Sequence, residues 1–198
     1  MADEPSTDAQ PTVHDAIMAA TYRALCKHGY ADLTMQSIAE EFEKSKSLIH
    51  YHFDTKQELL TAFMEYMLER FEEQVESAER ADPAEQLAAL LERFLTGPDE
   101  FEEFQTAMLE LRSQAPYNEA YRAQFRENDE YVRNLVVSVV ERGIETGTFR
   151  DVDPERTASF LLAVVDGART RWIVLGDDRT IEDVRGALSD YIEAELLK

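Results

Sequence analysis

The chain has 198 residues, of which 44% are hydrophobic and 10% aromatic, with only 7 glycines and 6 prolines. This composition is typical of a folded protein and excludes collagen-like or wholly disordered chains. Lysine and arginine total 20 against 41 aspartate and glutamate, a formal net charge of −21. As a bulk property, that charge argues against a protein that binds nucleic acid.

Several other classes are excluded by simple features. Charged residues interrupt every apolar run, so no segment reaches the roughly 20 apolar residues of a membrane span. The acidic start MADEPSTDAQP lacks the basic and apolar regions of a signal peptide. The single cysteine, Cys26, cannot form an intrachain disulfide or a zinc site alone. We therefore expect a cytoplasmic protein that does not contact a membrane.

The acidity carries a second prediction. Only 5 of the 20 basic residues are lysine, and strong acidity with scarce lysine favours a halophilic, haloarchaeal-like source. In such a cytoplasm a hydrated acidic surface keeps proteins in solution. An ordinary acidic protein is the alternative.

The first third of the chain predicts a disordered acidic tail over residues 1–11 and then short helices. Thr12 followed by Asp15 resembles a capping box that begins the first helix, and Gly29 ends that helix. Thr34 is positioned to cap a second helix, and residues 45–53 predict a third. A second capping box, Thr55-Lys56-Gln57-Glu58, begins a long helix.

Helices also fill the rest of the chain. Prolines at 83, 98, 116 and 154 each suit the first position of a helix. We expect helices at about 83–95, 98–114, 116–146, 154–175 and 180–197. Because no alternating apolar and polar runs appear, the sequence predicts an all-α fold of about nine helices.

One window departs from the overall acidity. From Lys44 to Phe53 there is no acidic residue, and Lys44, Lys46, His50 and His52 lie within it. A local basic face on an acidic protein indicates an anionic partner better than net charge does, although a chance cluster would look the same. The third helix would bury Ile49 and Phe53, and its small serines would let it approach DNA closely. Three short helices, with a tight turn between the second and the third, are the arrangement of a helix-turn-helix.

The residues of this region resemble the DNA-binding signature of the tetracycline-repressor (TetR) family. The resemblance is strong over residues 12–60, and the remainder resembles the family in length and helix pattern. It rests on Gly29-Tyr30, Leu33-Thr34-Met35, Ile38-Ala39, Ser45-Lys46-Ser47, Ile49, His52-Phe53, Thr55-Lys56 and Leu59-Leu60.

The resemblance implies a set of DNA contacts on double-stranded operator DNA. It implies phosphate contacts from Thr34, Ser45, Tyr51 and Lys56. It places Gln36, Lys46, Ser47 and His50 near base edges or backbone, with His52 able to reach either. Lys44, in the acid-free window, completes the predicted interface.

The resemblance also implies a division of labour. Residues 12–58 would form the DNA-binding domain and residues 59–198 a domain for ligand binding and dimerisation. The last two helices, about 154–175 and 180–197, would form a homodimer through two apolar surfaces, although packing within one chain is an alternative. The first surface comprises Phe160, Leu161, Val164, Val165, Ala168 and Trp172, and the second comprises Ile181, Val184, Leu188, Tyr191, Ile192 and Leu196.

A small-molecule inducer of unknown identity would bind among the middle helices, which are rich in aromatic and methionine side chains. Such residues are more often plain core, so the polar Gln105, Asp166 and Arg169 are the better pocket candidates. A neighbouring helix could equally satisfy each of them, so none is assigned as a ligand contact. No cofactor is predicted.

We predict a ligand-responsive dimeric regulator of transcription, more specifically a repressor that binds a palindromic operator. The sequence contains no glycine-rich phosphate loop, nucleophile elbow or zinc-protease motif, so we expect neither catalytic residues nor a metal site. The alternative function is an acidic helical protein-binding or scaffold protein without DNA affinity.

Overall fold

The computed structural model describes residues 12–42, 46–76, 82–96 and 101–198, without the side chains of residues 46, 76 and 101. Over these residues the chain forms nine α-helices and no strand, which confirms the predicted fold class. The predicted tail and the turn residues Lys44 and Ser45 lie outside the described residues. The helices are α1 Val13–His28, α2 Met35–Glu40, α3 Lys46–His52, α4 Lys56–Glu76, α5 Pro83–Thr96, α6 Phe101–Gln114, α7 Glu119–Glu145, α8 Pro154–Leu175 and α9 Arg179–Tyr191.

The predicted caps at both ends of α1 are present. The Thr12 hydroxyl accepts a hydrogen bond from the Asp15 amide, and the Asp15 carboxylate accepts one from the Thr12 amide. At the other end, Gly29 adopts a φ of 67°, a conformation that side chains disfavour. The turn that this glycine makes directs the chain from α1 toward α2.

Two predicted helices differ in detail. Pro116 does not begin a long helix. It lies in a 3₁₀ turn, Ala115–Tyr117, after which Asn118 caps α7 by accepting from the Tyr121 amide. The last predicted helix is α9 followed by a π-helical turn, Ile192–Leu196. An isolated β-bridge pairs Phe149 with Leu197, so the backbone of the loop after α7 contacts the last residues of the chain.

The buried apolar residues form two clusters. The first, here called the head cluster, joins α1 to α4 with residues of α6 and α7, among them Leu111 and Tyr121. The second, here called the body cluster, joins α5, α7, α8 and α9 around residues such as Leu87, Val140 and Leu161. Since burial of each large apolar side chain contributes roughly 1.5–3 kcal/mol, both clusters stabilise the arrangement of the helices.

The predicted dimer surfaces on α8 and α9 are wrong for most of their residues. These side chains pack in the body cluster of their own chain, because α8 and α9 are covered on one side by α5 and α7. Leu161, Val165, Ala168, Ile181, Leu188, Ile192 and Leu196 are all buried in this way. Phe160, by contrast, remains 46% exposed and packs beside Tyr191 with ring centroids 5.0 Å apart.

None of the described helices is both long enough and apolar enough to span a bilayer.

Candidate nucleic-acid interface and interior cavity

Helix α2 begins at a reciprocal cap. The Thr34 hydroxyl accepts from the Ser37 amide at 3.0 Å, and the Ser37 hydroxyl accepts from the Thr34 amide at 2.9 Å. The helix buries Ile38 and Ala39 and leaves Gln36 exposed. Gln36 donates to the Glu40 carboxylate at 2.9 Å, so its amide must leave an acidic neighbour before it can contact a base.

Helix α3 has one apolar edge and one polar face. Ile49 is fully buried, and Phe53, just after the helix, is also buried. His50, Tyr51 and His52 are exposed, and Tyr51 is exposed to 82%. A helix that buries one apolar edge and exposes polar and aromatic side chains on the other is what a helix-turn-helix presents to the major groove. This face therefore has the shape and chemistry of a surface that contacts DNA.

The remaining predicted contacts on this turn and helix are only partly described. Ser47 is exposed on α3. Lys46 begins the helix, but its side chain lies outside the described part of the chain, as do Lys44 and Ser45.

Lys56 lies closer to the protein than the sequence suggests. Its ammonium donates to the carbonyls of Tyr30 at 3.2 Å and Leu33 at 2.9 Å, and it lies 4.4 Å from the centre of the Tyr30 ring. Burial lowers the pKa of this lysine. Two of its three N–H groups thus hold the loop between α1 and α2, and the third is what would reach a phosphate.

A carboxylate of α6 also holds the loop between α1 and α2. Glu110 of α6 accepts hydrogen bonds from the backbone amides of Tyr30, at 2.7 Å, and Ala31, at 3.3 Å. A side chain at Gly29 would place its Cβ 3.0 Å from the Glu110 carboxylate, so glycine also permits this approach. No local sequence pattern indicates this contact, because 80 residues separate Glu110 from Tyr30.

Tyr30 also packs against Tyr121 of α7. The two rings meet edge to face with centroids 6.3 Å apart. Tyr121 is buried, and this burial, together with Tyr30, raises the pKa of its hydroxyl. The loop between α1 and α2 is therefore in contact with α4, α6 and α7.

Two cavities lie among the middle helices, with volumes of about 990 Å³ and 270 Å³. The larger lies mainly between α4, α5 and α6, and the smaller reaches α7 and α8. The volume of the larger cavity falls within the range of roughly 300–1,000 Å³ for small-molecule sites, and the smaller cavity lies just below it. The residues common to both are Met67, Phe71, Phe94, Phe104, Gln105 and Arg169.

The three polar residues singled out in the sequence all line the smaller cavity. Arg169 donates to the Gln105 side chain, and its guanidinium lies 3.9 Å from the Asp166 carboxylate. Asp166 is also 3.4 Å from Arg112 of α6. Burial lowers the pKa of Arg169, and Asp166 partly opposes this effect. Two arginines thus share one carboxylate at the edge of an aromatic cavity.

The described residues contain no group of three or more histidine, cysteine, aspartate or glutamate side chains that could hold a metal ion.

Two parts of the chain match models of known protein families. Residues 17–63 match the model of the tetR family of bacterial regulatory proteins, and residues 83–197 match that of the BetI-type transcriptional repressor C-terminal region. The chain is 29% identical to the transcriptional regulator BetI of Rhizobium meliloti, with 97% of this chain and 93% of that protein covered.

Two solved structures are also similar. A TetR transcription regulator from Haloarcula marismortui is 48% identical, with 92% of this chain and 97% of that chain covered and a TM-score of 0.84. A protein from Saccharomonospora viridis in complex with choline is 24% identical, with 93% and 97% covered and a TM-score of 0.81. The second similarity concerns the fold alone.

Proposed function

The chain belongs to the TetR family of transcriptional regulators, and we propose that it is a repressor that binds a palindromic operator as a homodimer. The observation that carries this proposal is the exposed face of α3, where Tyr51 stands out between two histidines. Strong acidity and the relative from Haloarcula support a halophilic source and a cytoplasmic location.

In the proposed complex, α3 of each subunit enters the major groove and α2 crosses the backbone. His50, Ser47 and Lys46 would face base edges, and Gln36 would read a base after leaving Glu40. Phosphates would be bound by Thr34, Ser45 and Tyr51, with Lys44 and His52 beside them. Lys56 would add its third N–H to a phosphate while it holds the preceding loop.

We propose the exposed faces of α8 and α9 as the dimer surface. The core-facing residues of these helices are already covered, so the contact would use the opposite face, which carries Phe160 and the small residues Ala163 and Gly167. Small residues let helices approach each other closely, and two helices from each subunit would form a four-helix bundle. Sedimentation analysis of Phe160→Glu tests this surface, because a buried charge would favour the monomer; a variant that stays dimeric would contradict the assignment.

The division of the chain into a DNA-binding segment, 12–58, and a segment for effector binding and dimerisation, 59–198, is part of the same proposal. A small molecule bound among α4 to α8 would shift the equilibrium toward a spacing of the two α3 helices that fits the operator poorly. The similar structure from Saccharomonospora viridis holds choline, which supports the proposal that this fold accommodates a small-molecule effector.

The test is genome-wide crosslinking and immunoprecipitation of the full chain, followed by affinity measurements on the recovered sites. Tyr51→Ala is the test variant, and Tyr117→Ala is its matched control, because these tyrosines are 82% and 89% exposed and neither supports the core. We expect peaks over a shared palindrome that are lost in Tyr51→Ala and kept in Tyr117→Ala.

The contrary result is equally informative. If neither wild type nor control enriches any site although both are folded, the regulator proposal fails. The net charge of −21 would then favour an acidic scaffold protein that binds other proteins.

A further inference from the structure

The deepest ionisable group along the two cavities is a cation. Eight charged side chains line these cavities, and five of them belong to exposed residues. The Arg169 side chain is only 24% exposed, against 42% for Asp166 beside it. Arg169, Gln105 and Asp166 also line a third, smaller pocket. The three spaces therefore meet at one guanidinium group.

Two arginines face one carboxylate at this point. Arg169 and Arg112 both face the single carboxylate of Asp166, at 3.9 Å and 3.4 Å, so these three side chains together carry a charge of +1. The Gln105 amide, which Arg169 also contacts, adds no charge. Asp129, the fourth charged side chain of the smaller cavity, belongs to an exposed residue. The lining as a whole therefore has two arginines and two aspartates, and the side chain of Arg169 is less exposed than those of Asp166 and Arg112. A carboxylate placed there would gain charge-assisted, bidentate hydrogen bonds from a planar guanidinium.

The rest of the wall suits an apolar chain or ring system. Met67, Phe71, Phe94 and Phe104 separate the two larger cavities and extend from the arginine toward α5. The Phe71 and Phe94 rings pack with centroids 5.6 Å apart and planes tilted by 38°. A ligand with one polar end and a long apolar body would satisfy both parts of this site.

The same aromatic rings are poorly placed for a cation. A quaternary ammonium is bound by open aromatic faces, but the Arg93 guanidinium lies 5.1 Å from the centre of Phe71 and the Arg112 guanidinium 5.6 Å from the centre of Phe125. Two of the faces that would surround a cation are thus covered by positive charge.

From this arrangement we propose that the effector is an anionic amphiphile, whose carboxylate binds at Arg169 and whose apolar body lies against Phe71, Phe94 and Phe104. The proposal rests on the regulator function, since it specifies what the cavity of that regulator binds. It assigns Arg169 as the residue that selects the charge of the effector and Asp166 as the residue that limits its affinity.

Three probes with the same number of chain carbons separate head-group charge from apolar burial: dodecanoate, 1-dodecanol and dodecyltrimethylammonium. The two ionic probes are used below their micelle concentrations and the alcohol below its solubility limit. Titration calorimetry on the full chain measures their affinities. Fluorescence of Trp172, the chain's one tryptophan, provides a second readout because it lies on α8 one turn after Arg169. We expect dodecanoate to bind about ten- to hundredfold more tightly than the other two, the range for hydrogen bonds to a charged group.

Two variants shift the charge in opposite directions. Arg169→Gln should weaken dodecanoate binding at least about tenfold and leave dodecanol within about twofold. Asp166→Asn should strengthen dodecanoate binding severalfold, because it leaves both arginines without their shared carboxylate. If Arg169→Gln does not fold, the wild-type comparison of probes and Asp166→Asn still decide the question.

Equal affinity for the three probes, tighter binding of the ammonium, or weaker dodecanoate binding by Asp166→Asn would overturn the proposal. Operator binding is measured in parallel on the sites recovered by crosslinking. Protein that binds these sites but not dodecanoate would refute the effector assignment alone. Protein that binds dodecanoate as expected but enriches no DNA would refute the regulator function and leave the anionic site standing.

Discussion

Replacing Glu110 with alanine tests whether the contact between α6 and the loop after α1 stabilises the protein. The carboxylate accepts from the Tyr30 amide at 2.7 Å and from the Ala31 amide at 3.3 Å. Hydrogen bonds to charged groups contribute about 1.5–3 kcal/mol. The second bond is long and exposed, so we count only the first and expect a loss of about 1.5–2 kcal/mol in the free energy of unfolding. Glu110→Gln, which keeps an acceptor but removes the charge, should lose about half as much.

Denaturant unfolding at fixed KCl measures these losses, and Glu130→Ala is the control because Glu130 is an exposed carboxylate on another helix. Hydrogen exchange gives a local readout, since the Tyr30 amide should exchange faster in Glu110→Ala. If Glu110→Ala and Glu130→Ala agree within about 0.5 kcal/mol, the range for neutral surface changes, and Tyr30 exchange is unchanged, the reasoning is refuted.

Three further predictions concern the body and the surface. Gly143→Ala should destabilise the protein by about 1–3 kcal/mol, because the new Cβ would overlap the Phe149 ring; Ser138→Ala on the exposed face of the same helix is the control, and equal thermal midpoints would contradict the packing. Arg185 lowers the pKa of Glu92 below its ordinary value of 4.5, so the pair stabilises the fold above that pH and the benefit is lost as the pH falls through the lower folded value. Arg185→Gln should therefore reduce stability at neutral pH and match wild type in acid, whereas a constant difference across pH would contradict the assignment. Raising KCl from about 0.1 M to about 1 M shortens the screening length from about 10 Å to about 3 Å, so the thermal midpoint of a chain with a net charge of −21 should rise, and a falling midpoint would count against self-repulsion as the main surface effect.

Local signals predicted the helices well. The capping box of Thr12 and Asp15, the glycine at 29 and the prolines that begin α5 and α8 each act on their own turn, so a few neighbouring residues determine the result. The apolar spacing of α3 likewise predicted which of its side chains are buried, because period and burial are linked by helix geometry.

Contacts between distant segments were not predictable in the same way. Glu110 meets Tyr30 across 80 residues, and nothing in either local pattern indicates the pairing. Lys56 looked like an outward cation, but the carbonyls that it binds become available only when the loop after α1 folds over it. The apolar stripes on α8 and α9 were visible, yet an apolar stripe does not state whether its partner is the same chain or another.

The head cluster has a consequence for attempts to build chimeric regulators. Its buried residues come from α1 to α4 but also from α6 and α7, including Leu111 and Tyr121. A graft that exchanged only the first sixty residues would leave these side chains facing a foreign surface and would strand the Glu110 carboxylate opposite a different loop. A working hybrid should therefore take α6 and the first turns of α7 from the same parent as helices α1 to α4. The residues that pack together in the head cluster then all come from one protein.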